Sequence, residues 1–115
     1  MEKTIVIDGK TVSFKTTGAT PLRYKQQFRK DFFADLVSLV GKLDSKKEIN
    51  EIEADDITNI NFEIFYNIAW TFAKTADKSI AAPLDWLDTF DEFPILEILP
   101  ELQDMLMATV QTKKK

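Results

Sequence analysis

Ile57–Asp77, ITNINFEIFYNIAWTFAKTAD, is the stretch that decides the fold. At about 100° per residue, Ile57, Ile60, Ile64, Phe65, Ile68 and Phe72 fall on one side of a helix, and Phe62, Tyr66, Trp70 and Ala73 fall on the other. Only a wedge around Glu63, Asn67 and Lys74 is polar. A helix that is apolar nearly all round either sits at the centre of its domain or keeps one aromatic face for a partner. Asp55-Asp56, immediately before it, suits the positive end of a helix dipole better than it suits a metal pair.

Working toward the N-terminus, residues 42–56 are mostly charged with few apolar anchors and read as a loop with room for a helical turn. Before them, Tyr24, Phe28, Phe32, Leu36, Leu39 and Val40 recur at spacings of three and four. That spacing predicts one amphipathic helix, opened by Thr20 as N-cap with Pro21 in its first turn and ended near Gly41. Earlier still, Ile5, Ile7, Val12 and Phe14 alternate with polar residues on either side of Asp8-Gly9, a dipeptide made for a tight turn with positive φ. The predicted hairpin pairs Ile7 with Lys10, Ile5 with Val12 and Lys3 with Phe14, so the four large apolar side chains share one face.

Toward the C-terminus, Pro83 opens a short helix whose apolar side is marked by Leu84, Leu87 and Phe90, and Phe93-Pro94 closes it. Ile95, Leu96, Ile98, Leu99, Leu102, Met105, Leu106 and Val110 trace a last helix with Pro100 as either a kink or a fresh start. The expected fold is mainly α (α+β), an N-terminal β-hairpin packed on a bundle of about four helices. Residues 1–112 are expected to form a single domain and residues 113–115 a frayed basic tail.

Composition narrows the function. The 115 residues contain no His and no Cys, which removes the imidazole base, the thiolate nucleophile, the usual zinc ligands and the disulfide framework of small secreted domains. No enzyme activity, cofactor or metal is expected. The N-terminus shows no signal peptide, and no window nears the roughly 20 apolar residues of a membrane span, so an intracellular protein without a membrane role is expected. Charge is polarised: residues 1–42 carry +4, residues 43–112 carry −11, and Lys113-Lys114-Lys115 adds +3. From Ser79 to Thr112 there are seven acids and no base, a surface that repels phosphate backbones and disfavours nucleic acid.

Asp85, Asp88, Asp91 and Glu92 lie three and four apart, a spacing open to acid–base work or a hard cation, but without loop-type alternation or a partner set elsewhere they read as a solvated acidic face. Trp86, Phe90 and Phe93 stand among those acids as aromatic anchors in a polar rim, or else close the core under the last helices. Together with Phe62, Tyr66 and Trp70 they form the expected partner-binding set. Arg23, Arg29 and Lys30 against Asp88, Asp91 and Glu92 offer a head-to-tail complement for self-association into a homo-oligomer.

The chain resembles the tail assembly chaperones of long-tailed phages, particularly those of phages and prophages of Gram-positive bacteria. The likeness lies in Thr4–Lys15, in Lys30-Asp31-Phe32-Phe33-Ala34-Asp35-Leu36 at the centre of the Tyr24–Leu39 helix, in Phe65–Ala73 and in Pro83–Phe90. The resemblance implies a non-catalytic helper in the host cytoplasm, not retained in the mature virion, that coats and solubilises the tape measure protein. It further implies a longer, frameshifted form that recruits tail tube protein. The terminal lysines must be encoded by AAA or AAG, which suits either ribosomal slippage or a solubilising tail. A second reading, from a different class, is a small acidic regulatory or inhibitor protein whose Trp86–Phe93 segment blocks a host or phage protein.

Overall fold

The computed structural model describes residues 1–42 and 61–113. They form two strands, β1 (Glu2–Ile7) and β2 (Lys10–Lys15), and five helices: α1 (Thr20–Phe28), α2 (Phe32–Lys42), α3 (Phe62–Ala76), α4 (Pro83–Asp88) and α5 (Ile95–Lys113). The expected charged loop beyond Lys42, Asp55-Asp56, Ile57, Ile60 and Lys114-Lys115 lie outside the described residues.

The hairpin has the expected register, Ile7 opposite Lys10, Ile5 opposite Val12 and Lys3 opposite Phe14. Asp8 and Gly9 both adopt positive φ, 54° and 74°, the twist that a two-residue connection between right-twisted strands requires. Ile5, Ile7 and Phe14 are buried and Val12 is half-buried, whereas Val6 on the opposite face is 68% exposed. Two strands cannot hold themselves in water, and the buried face is covered by helices, β2 lying on α3 and β1 on α5.

The single helix expected over Tyr24–Leu39 is two helices. Arg29 takes a left-handed conformation, φ 61°, and its N–H bonds to the Lys25 carbonyl to finish α1. Asp31 then starts α2, its Oδ2 accepting from the Ala34 N–H at 2.8 Å. Across the break, the Tyr24 hydroxyl donates to Asp35 Oδ2 at 2.6 Å and ties the two helices together. Burial, and then that bond, push the Tyr24 phenol far above the ordinary tyrosine range. Gly41 does not end α2, which runs through Lys42. Asp31→Ala is expected to cost about 1 kcal/mol, the usual loss of an N-cap, and a urea titration reads it as a lowered midpoint with unchanged slope.

Thr20 is not the cap of α1 either. Ala19 holds that position without a side-chain bond, and Thr20 turns inward. Its Oγ1 accepts from the Thr17 N–H at 2.9 Å and lies 3.5 Å from Thr75 Oγ1, whose proton goes to the Thr71 carbonyl at 2.7 Å. A buried hydroxyl needs such partners, and Thr20 and Thr75 find them in each other and in the backbone.

α3 is the centre of the domain. Asn61 caps it, Oδ1 accepting from the Ile64 N–H at 3.3 Å, and Ile64, Phe65, Ile68, Trp70, Phe72 and Ala73 are all buried. α1, α2, α4 and β2 pack around it. Its C-terminal exit is pinned by Lys74, whose ammonium donates to the Lys78 and Ile80 carbonyls at 2.7 and 2.8 Å, and by the Trp70 indole N–H, which donates to the Ala81 carbonyl at 2.9 Å. Ser79 donates its hydroxyl and N–H to Asp77 Oδ1 at 2.6 and 3.0 Å, which holds the Asp77 carboxyl below the usual carboxylate range.

On α4 the inward residue is Trp86, and Leu84, expected on the apolar side, is 74% exposed. Leu87 is half-buried and Phe90 buried, as the pattern suggested. α5 is one helix with Pro100 inside it. Pro100 is exposed, so the hydrogen bond it withholds falls on the watered side, and Ile98, Leu99, Leu102, Met105 and Leu106 seal the opposite face.

Candidate functional site

The six aromatic residues expected to bind a partner separate into two groups of three. Trp70, Trp86 and Phe90 belong to the core, with 3%, 5% and 9% of their surface exposed. Phe62 and Phe93 are half-buried against its edge, and Tyr66 is half-buried with its ring beside those of Phe65 and Phe93. The correction for the first group has a simple cause: Trp70 points at the 77–82 connection, where its N–H finds a carbonyl, and Trp86 turns under the short α4 because Leu84 and Asp85 take the outer side.

The two groups are joined by rings. Trp86 meets Phe90 edge-on at 5.3 Å between centroids and Phe93 at 5.6 Å, Phe90 and Phe93 lie 5.5 Å apart, and Phe93 reaches Tyr66 of α3 at 5.8 Å. Edge-to-face and tilted contacts in this distance range are favourable beyond their area burial. Phe62 and Tyr66, four residues apart, lie on one side of α3. The result is a strip, Phe62–Tyr66–Phe93, whose inner edges rest on a closed aromatic core and whose outer edges meet solvent.

The hairpin tip holds this region from above. Lys10 lies over the Phe90 ring, 5.3 Å from its centroid, and its ammonium also donates to the Thr89 carbonyl. Asp8 Oδ2 accepts from the Asp91 N–H at 2.9 Å. The Asp8-Gly9-Lys10 turn is therefore a clasp on the segment joining α4 to α5, a role that a turn signal alone does not reveal.

Asp85, Asp88, Asp91 and Glu92 are all exposed, the last two immediately before Phe93 in the chain. Among the described residues the salt bridge is Lys3 Nζ to Glu101 Oε2 at 3.6 Å, so these four carboxylates have no basic partner there. Arg29 and Lys30 are exposed at the α1–α2 junction, and Arg23 is half-buried with its Nε enclosed and unbonded. No ion pair links these bases to Asp88, Asp91 or Glu92 within the described residues. No group of three or more acidic residues there is arranged to hold a metal ion, and no described helix is long and apolar enough to cross a membrane.

What the arrangement offers is contact: half-exposed rings, and exposed carboxylates with no basic partner among the described residues. No protein-family model, curated protein or solved structure matches this chain.

Proposed function

We propose that this protein is a tail assembly chaperone, a non-catalytic protein that binds a helical client in the host cell and is absent from the finished virion. Its client is the tape measure protein, a long apolar helix prone to aggregate, and a longer form of the chain brings tail tube subunits to it. One observation supports this reading most: Phe62, Tyr66 and Phe93 are rings left half-buried at the edge of the core, with the exposed carboxylates of Asp91 and Glu92 immediately before Phe93 in the chain. Half-exposed aromatics in a polar surround suit the apolar face of an amphipathic helix, with the acids meeting basic residues along that helix's flanks.

Co-expression with fragments of a tape measure protein tests the reading. The wild-type chain is expected to keep such fragments in the soluble fraction. Tyr66→Ser and Phe93→Ser are expected to weaken capture by about 30-fold each, the effect of losing an interface anchor worth about 2 kcal/mol, while each variant still melts cooperatively. Fragments that stay insoluble beside the wild-type chain, or are rescued equally by the variants, would contradict the proposal.

A further inference from the structure

The alternation of hydrogen bonds along the hairpin leaves one edge of β1 unused. Met1 and Thr16 exchange both backbone bonds, at 2.9 and 3.4 Å, which fixes the phase of the ladder: Lys3, Ile5 and Ile7 face their partners on β2, and the N–H and C=O groups of Glu2, Thr4 and Val6 point the other way. Among the described residues, no hydrogen bond takes up the outward groups of Thr4 or Val6. The strand has no bulge and no proline to discourage pairing, and its one lysine, Lys3, leans toward Glu101.

A hollow of about 320 Å³ runs along that edge, walled by Thr4 and Val6 on one side and by Pro94, Glu97, Ile98 and Glu101 of the α5 region on the other. The free edge of β2 is less inviting. The hollow beside it is smaller, about 220 Å³, and Ser13 there is half-buried. Glu97 is exposed with no basic partner among the described residues, and the whole stretch from Ser79 to Thr112 contains acids but no base.

We infer that the outer edge of β1 is a docking site for an extended, basic segment of a partner polypeptide, which adds as a third strand to the hairpin. Its main chain bonds to Thr4 and Val6. Alternate side chains point down onto α5, where apolar ones rest on Pro94 and Ile98 and basic ones meet Glu97. This site is separate from the aromatic strip, takes a strand rather than a helix, and stands whether or not the strip binds a client.

The test uses the full chain and an acetylated, amidated hexapeptide, Lys-Thr-Val-Thr-Lys-Thr, whose alternate positions put lysine and valine on one face, with the same peptide bearing glutamate in place of lysine for comparison. Amide exchange followed residue by residue is expected to slow about tenfold at Thr4 and Val6 on saturation with the basic peptide, and not with the acidic one. Glu97→Lys is expected to weaken binding about fivefold, since it turns an attraction into a repulsion at the groove wall. Val6→Pro blocks the outer edge without removing a bond to β2 and is expected to abolish protection at Thr4. Equal binding of both peptides, protection elsewhere than β1, or protection of Thr4 and Val6 in the free chain that rises with its own concentration would each overturn the inference, the last by making a second copy the occupant.

Discussion

Phe65→Ala is expected to remove about 3–5 kcal/mol of stability. Phe65 is fully buried in the middle of α3, the helix against which α1, α2, α4 and β2 all pack, so its ring cannot be replaced by solvent or by movement of a single neighbour. A domain of this size holds on the order of 6–17 kcal/mol in all, which makes one ring a large fraction of the whole. Urea unfolding should show the midpoint falling by about a sixth or more with the slope unchanged. Val37→Ala on the exposed side of α2 is the control and should move stability by no more than about 0.5 kcal/mol. A small effect at Phe65 would mean that α3 is not the packing centre.

The second large effect concerns Tyr24. Tyr24→Phe keeps the ring and deletes only the hydroxyl that donates to Asp35, leaving a carboxylate oxygen short of a partner between α1 and α2. A loss of about 1–3 kcal/mol is expected at neutral pH. The pH dependence follows from the raised phenol. The folded protein keeps the Tyr24 proton at a pH where the unfolded chain, near the ordinary value of about 10, releases it. The stabilisation from Tyr24 is therefore complete below about pH 10 and is lost progressively as pH rises beyond it. Wild type and Tyr24→Phe should thus converge in stability in strong alkali. A gap that stays constant across that window would show that the hydroxyl is not held neutral by the fold.

The hairpin was legible in the sequence down to its register, because a period-two pattern and a turn dipeptide specify the same pairing independently. α3 was equally plain from its apolar circumference. The division between α1 and α2 was not, since Tyr24, Phe28, Phe32 and Leu36 keep a spacing of four straight across it, and no glycine or proline marks the stop. Arg29 in a left-handed conformation and Asp31 as a cap make the break, and only the second leaves a trace, a capping-type residue inside what otherwise reads as a continuous helix.

The site was half legible. Trp86 reads either as a surface anchor, because acids surround it in sequence, or as part of the core; a helix of six residues has too few turns to declare its inner side, and that side proved to be the tryptophan's. Trp70 carried a clue in its indole N–H, which must find an acceptor when buried and does so at Ala81. The clasp of Lys10 and Asp8 on the α4–α5 connection joins segments about 80 residues apart, a relation that no local pattern encodes.

The central claim is that Phe62, Tyr66 and Phe93 are more ring surface than this fold needs for itself, and that a helical client takes up the excess. Titrating the isotopically labelled full chain with a helical tape measure fragment and recording side-chain NMR shifts tests it most directly. The account predicts saturable changes centred on Phe62, Tyr66 and Phe93, with the rings of Phe65 and Phe72 unmoved. Binding that leaves those three rings silent and shifts other residues instead would contradict it.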